Sequence, residues 1–240
     1  MKKIALLLLA FSLSLGLHAQ KTYMLATAVS DYKGQQNDLV QTTKDAKTLA
    51  KFFKSRGATV TLLTSKYATR DNIIYSLRKI AQKMKPEDRL IFAYNGHGTE
   101  GALYTNDAGN NKPLLYSELY RELEKINCQN VTIFINACFS GSATKSIKGS
   151  KYVLFLSSRE TEKSAVTNWY GGMFSRSLLK GLQNIGGSDS NGDKKITVME
   201  LFEYIRKDVM NHSDSNQHPT LGVNKANRDM VVVDWNKKKD

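Results

Sequence analysis

The chain has 240 residues, of which 41% are hydrophobic and 24% charged, and a formal net charge of +13 at pH 7. Glycine (16) and proline (3) are not enriched and no period of about twenty to fifty residues recurs, which excludes a linker-rich array or a solenoid. The basic residues are scattered apart from Lys237, Lys238 and Lys239, and no RNA- or DNA-binding motif accompanies them, so they read as a solvated surface rather than a nucleic-acid site.

In chain order, Lys2 and Lys3 precede an apolar run from Ile4 to Leu17 that closes on Leu17-His18-Ala19. This is the pattern of a secretory signal peptide over residues 1–19, too short and wrongly flanked for a membrane anchor. The reading implies cleavage after Ala19 and an exported protein, secreted or periplasmic. No cysteine follows the cut to carry a lipid, and no later stretch is long and apolar enough to span a bilayer. About 220 residues remain, 20–240, enough for one domain with a substantial core.

Thr22 to Val29 is apolar and β-branched, and Ser30-Asp31-Tyr32-Lys33-Gly34 turns away from it. A helix follows from Lys44 to Arg56, stopped by Gly57, then a strand over Ala58 to Leu63. Thr69 offers a cap, and Ile73, Ile74, Leu77 and Ile80 line one face of the next helix. Arg89 to Tyr94 makes a third strand, Leu103 to Thr105 part of a small hairpin, and Leu115 to Ile126 an amphipathic helix. Val131 to Ile135 and Tyr152 to Ser157 read as strands, Met173 to Leu182 and Val198 to Val209 as helices, and Met230 to Val233 as a last strand. The alternation predicts an α/β fold, a three-layer α/β/α sandwich with a mostly parallel central sheet and right-handed crossovers.

The chemistry gathers at two strand ends. Val131 to Gly141 reads V-T-I-F-I-N-A-C-F-S-G, a nearly continuous apolar run of the kind buried on both faces, followed at once by Cys138. Cys128 precedes that strand; at roughly 3.3 Å per residue it lies beyond disulfide reach, which leaves Cys138 a free thiol. Asn95-Gly96-His97-Gly98 ends the neighbouring strand, so parallel pairing brings an imidazole and a thiol to one crevice. His212 and His218 fall in a polar loop and offer no such placement. The amides of Gly98 and Cys138 are candidates to face a developing oxyanion. Gly96, Gly98 and Gly101 also fit G-x-G-x-x-G, but no helix opens at the third glycine, which argues against a dinucleotide site.

The Y-N-G-H-G and N-A-C-F-S-G blocks, in that order, resemble the caspase-like, metacaspase-type cysteine peptidases. Lys44-Asp45-Ala46, Ser157-Ser158 with Glu160 and Glu162, and Gly172-Met173-Phe174-Ser175 are similar to further segments of the family. The resemblance implies a caspase-like fold and an endopeptidase in which His97 is the base and Cys138 the nucleophile. It implies too that Asp45 and position 136 bind a basic P1 residue. Metacaspase-type enzymes usually carry aspartate where this chain has Asn136, and losing one of two carboxylates weakens such a contact by about 1–3 kcal/mol. Two functional readings follow: an exported endopeptidase that favours Arg or Lys at P1, or a catalytically impaired relative that binds a peptide or partner. Ser140 to Ser150 is short for an activation linker, so an intact chain, monomeric, with a peptide or protein substrate is expected.

Asp189 to Glu200 reads D-S-N-G-D-K-K-I-T-V-M-E. Oxygens from Asp189, Asn191, Asp193, the Lys195 carbonyl and Glu200 match the spacing of an EF-hand loop, although Lys194 stands where glycine is usual. The loop reads either as a structural or regulatory Ca2+ site or as a solvated turn, with Glu200 favoured in the first turn of a helix. The hydrolytic chemistry itself requires no cofactor.

Overall fold

The computed structural model describes residues 20–109, 113–167 and 171–237. Residues 1–19, where a signal peptide is expected, and Lys238 and Lys239 lie outside the described residues. Six strands form the central sheet: β1 Thr22–Ala28, β2 Thr59–Thr64, β3 Arg89–Asn95, β4 Asn130–Asn136, β5 Tyr152–Leu156 and β6 Thr220–Val223. Their spatial order is β6-β5-β4-β3-β1-β2. All pairings are parallel except β6 against β5.

Five helices cover the sheet: α1 Thr42–Lys54, α2 Arg70–Ala81, α3 Tyr116–Glu124, α4 Met173–Leu182 and α5 Val198–His212. Side chains alternate across a strand, so each strand feeds both faces. In β1, Tyr23 and Leu25 join the core under α2 and α3, with Ile73, Leu77, Leu119 and Leu123. Met24 and Ala26 point the other way, into the core with Phe53 of α1, Leu178 of α4 and Ile205 of α5. The result is the expected three-layer α/β/α arrangement. All seven residues of β4 are buried, which is why its sequence lacks polar alternation.

The helix signals were local and strong. Thr69 caps α2 by accepting from the Asn72 amide, and Ile73, Ile74, Leu77 and Ile80 are its buried face. Helix α3 begins one residue later and ends two earlier than its periodicity suggests, while α5 runs on to His212. Two strand assignments change. The sixth strand of the sheet is Thr220–Val223, a half-buried edge strand that no pattern announced. Val231–Asp234 is a strand but pairs antiparallel with Lys195–Thr197 outside the central sheet. Ser140–Ser150 is not a bare loop: it holds a 3-10 turn at Ser140–Ser142 and one helical turn at Ala143–Ser146. Lys145 there pairs with Glu100 and Glu160 at 3.2 and 2.9 Å. Among the described residues, no helix is long and apolar enough to cross a membrane.

Candidate active site

Strands β3 and β4 are in register to their last residues, with Asn95 opposite Asn136. The ladder continues one step further, the Gly96 amide donating to the Asn136 carbonyl at 3.2 Å. His97 and Cys138 each follow their strand's last residue by two positions, at the same carboxyl-end edge of the sheet. The two blocks touch through backbone: a Cβ built on Gly98 would lie 2.8 Å from the Cys138 carbonyl oxygen and 2.9 Å from Ala137 Cβ. Only glycine permits that approach. After Gly101 the chain enters a short strand at Ala102–Leu103, not the helix a dinucleotide site would need.

The imidazole is fixed from three sides. Its backbone amide donates to the Tyr32 hydroxyl at 2.7 Å, and its ring packs on that of Tyr32 with centroids 4.6 Å apart. The Tyr94 hydroxyl donates to the His97 carbonyl at 2.9 Å. Burial pushes the Tyr32 hydroxyl up to about 12, so it stays a neutral hydrogen-bonding group. The ring nitrogen Nε2 lies 2.8 Å from the Asn37 carbonyl oxygen. A carbonyl only accepts, so Nε2 carries the hydrogen and, in the neutral ring, Nδ1 is the basic nitrogen. Asn37 is presented by the turn Gln35–Asn37, where its amide donates to Gly34 O at 2.9 Å and its side chain to Lys33 O at 2.9 Å.

Cys138 and Cys128 are both free thiols. Cys128 is buried in the core under α2 and α3, on the far side of β4. Cys138 is half-buried, and the Ser164 amide approaches its Sγ at 3.4 Å, with the Ser164 carbonyl at 4.0 Å. No hydrogen bond links the His97 imidazole to the Cys138 thiol among the described residues. Phe139, next in the chain, sits at φ 59° and ψ 20°, a left-handed conformation uncommon for an aromatic residue. That turn is held by the Phe139 amide donating to Glu162 O at 2.7 Å.

Beneath the thiol lies a buried layer of hydroxyls. The Ala137 amide donates to Ser157 Oγ at 3.0 Å, and the Ala137 carbonyl accepts from Ser164 Oγ at 2.9 Å. Gln217, 1% exposed, ties this layer together: its amide nitrogen donates to Ser157 O at 2.7 Å and its carbonyl accepts from the Ala165 amide at 2.9 Å. Of the other histidines, His212 lies against Asp208, and His218 Nδ1 is 2.9 Å from Glu162 Oε1. Neither reaches the thiol.

The residues expected to bind a basic side chain converge on Gly172. The Gly172 amide donates to Asp45 Oδ2 at 3.1 Å, and a Cβ on Gly172 would fall 2.2 Å from Asn136 Nδ2. Asn136 is buried; its Nδ2 donates to Ser175 Oγ at 2.9 Å, while its Oδ1 is without a partner. Ser175 in turn donates to Asn95 Oδ1 at 2.7 Å. Burial raises the Asp45 carboxyl to about 6, against the smaller opposing effect of the Gly172 amide.

The Asp189–Glu200 loop behaves differently. Asp189 accepts from the amides of Gly192 (2.9 Å) and Lys194 (3.0 Å), Asn191 from Asp193 (2.9 Å), and Asp193 from Lys195 (2.8 Å). Glu200 forms a capping box with Thr197 and also accepts from Ser190. Lys194 takes φ 64°, the left-handed position where an EF-hand carries glycine. Among the described residues, no three His, Cys, Asp or Glu side chains are grouped so as to hold a metal ion.

The sequence points to Ser157 only as part of a family-like segment, and carries no signal for Tyr32, Asn37, Ser164 or Gln217. Asn37 meets the imidazole, and Ser164 the thiol, through backbone groups, which leave no signature in residue type.

The model of the caspase domain matches residues 23–231 of this chain. Two solved structures are similar over most of it. A protein from Geobacter sulfurreducens superimposes with a TM-score of 0.63 at 18% identity, covering 90% of this chain and 99% of that one. Caspase-1 from Spodoptera frugiperda does so with a TM-score of 0.63 at 17% identity, covering 86% of each. At these identities the likeness concerns the fold. None of the curated proteins matches the chain. With the family match spanning all but the first residue of the central sheet and both strand ends described above, the chain belongs to the caspase domain family of cysteine peptidases.

Proposed function

We propose that this protein is an exported cysteine endopeptidase in which Cys138 is the nucleophile and His97 the base. The observation that carries the reading is the register of β3 and β4, with His97 and Cys138 each two residues beyond it and Gly98 against the Cys138 carbonyl. Nδ1 of His97 takes the Sγ proton, and the thiolate attacks the scissile carbonyl carbon. The oxyanion is met by the amides of Gly98 and Cys138. The amides on either side of Cys138 are engaged, by Ser157 Oγ and Glu162 O, whereas that of Cys138 has no acceptor among the described residues. Collapse expels the amine, which leaves with the proton from His97. Water, deprotonated by His97 in turn, then hydrolyses the thioester and restores the thiol.

Asp45 supplies the charge that selects Arg or Lys at P1, and Asn136 supplies a neutral oxygen where a second carboxylate would bind more tightly. Export is supported by the N-terminal leader. The test is cleavage of a peptide library with every residue at P1 by the mature chain (20–240), beside Cys138→Ala and Asn136→Asp. Cleavage after Arg and Lys, absent in Cys138→Ala and sharpened by Asn136→Asp, is the expected result. The engagement of Sγ by Ser164 instead of His97 favours a second reading, a peptide-binding module without turnover; binding of library peptides without any cleavage would establish it.

A further inference from the structure

At the opposite, amino-terminal edge of the sheet lies a cavity of about 660 Å³ whose lining includes Lys21, Arg56, Arg89, Lys195 and Lys237 against one acid, Asp234. We propose that this cavity binds a small phosphorylated anion, gripped by the guanidinium groups of Arg89 and Arg56. Arg89 opens β3 and is half-buried. Its Nε donates to Asn130 Oδ1 at 3.2 Å and its Nη2 to Val231 O at 2.9 Å, both neutral acceptors. The remaining N–H groups of its fork have no acceptor among the described residues, and no carboxylate stands within ion-pair distance.

A half-buried cation without a counter-charge is costly, and its burial lowers the Arg89 guanidinium below its ordinary value. Arg56, at the end of α1, is held over the Trp235 ring at 4.8 Å and bonds the carbonyls of Asp234 and Lys237, again neutral groups. The Asp234 carboxylate is engaged by the Asn236 amide at 3.0 Å. Two planar forks beside the three lysines suit the tetrahedral, multiply charged oxygens of a phosphoryl group. The cations converge on one cavity instead of running as a stripe, which fits a compact anion and not a nucleic-acid backbone. Along β3 the site is about 20 Å from the Cys138 edge, so it is separate from peptide hydrolysis.

The test is isothermal titration and thermal melting of the mature chain with sodium pyrophosphate, against sodium chloride at equal ionic strength. A saturable rise in melting temperature below about 10 mM is expected. Arg89→Gln should weaken binding roughly tenfold or more, Arg56→Gln several-fold, and the remote Lys66→Gln not at all. If Arg89→Gln does not fold, Arg56→Gln and phosphorus NMR line broadening on the wild-type chain decide the matter. The proposal is overturned by no saturable effect, by binding in both arginine variants equal to that of the unsubstituted chain, or by citrate binding as tightly as pyrophosphate. None of these readouts involves peptidase activity.

Discussion

The Cys138–His97 edge and the Asp189–Glu200 loop both carry residue types arranged at functional spacing, yet they use their polar groups in opposite ways. At the edge, His97, Cys138, Asp45 and Gln217 come from distant parts of the chain. They are held by neighbours that leave the groups of the proposed mechanism without partners among the described residues: Nδ1 of His97, the Cys138 amide, and Asn136 Oδ1. In the loop, Asp189, Asn191, Asp193 and Glu200 are bonded to amides and hydroxyls within twelve residues of sequence. At the edge, residues far apart in the chain are brought together; in the loop, residues close in the chain bond one another, and Glu200 closes the capping box of helix α5.

The largest expected effect concerns the edge. Cys138→Ala should lower kcat/KM by at least about a thousandfold, and His97→Ala comparably, with melting temperatures little changed. A loss below tenfold in either would remove the pair from the chemistry and erase the contrast with the loop.

Asp45 tests the proposed P1 preference. Removing its charge (Asp45→Asn) should lower kcat/KM for Arg or Lys at P1 by roughly ten- to a hundredfold, and hardly affect neutral P1 residues. Its carboxyl titrates near 6 in the folded chain, above an unfolded value of 3.8, so the folded state holds the proton more tightly. That contribution favours folding below the unfolded value and is lost as pH rises through about 6. Asp45→Asn should therefore melt no lower than wild type at pH 8. Wild-type preference for basic P1 residues should also fade as pH drops through 6. Calorimetry and a pH profile on paired substrates check both.

Tyr32→Phe removes the acceptor of the His97 amide without touching the ring nitrogens. A fall in kcat of about tenfold with KM nearly constant is expected, since the hydroxyl positions the imidazole and does not contact substrate. The smallest effect belongs to the loop. Glu200→Gln weakens the capping box and should cost about 0.5–1.5 kcal/mol in denaturant unfolding, with kcat/KM unaltered whether or not calcium is present.

The same distinction explains what could be read in advance. Periodicities of α2 and β4 are written in runs of apolar residues, and the histidine and cysteine announce themselves by side-chain chemistry at strand ends. Strand β6 escaped notice because Thr220–Val223 is four residues of half-buried edge, interrupted by Gly222 where Thr144 packs. The Asn37 carbonyl and the Ser164 amide are backbone groups, available at any residue, and only the fold selects them. The resemblance points to Asp45, but its raised pKa comes from burial in the fold, next to Gly172 more than a hundred residues away, and residue type alone does not carry it. The Asp189–Glu200 spacing was legible, whereas the spending of its oxygens on local amides was not.

The most direct test of the central claim is covalent labelling of residues 20–240 by a thiol-directed peptide bearing arginine at P1, followed by intact-mass and peptide mapping. The account predicts a single adduct on Cys138, absent from Cys138→Ala, slowed by at least about tenfold in His97→Ala, and leaving Cys128 untouched. Labelling at Cys138 that proceeds at the same rate without His97 would contradict it.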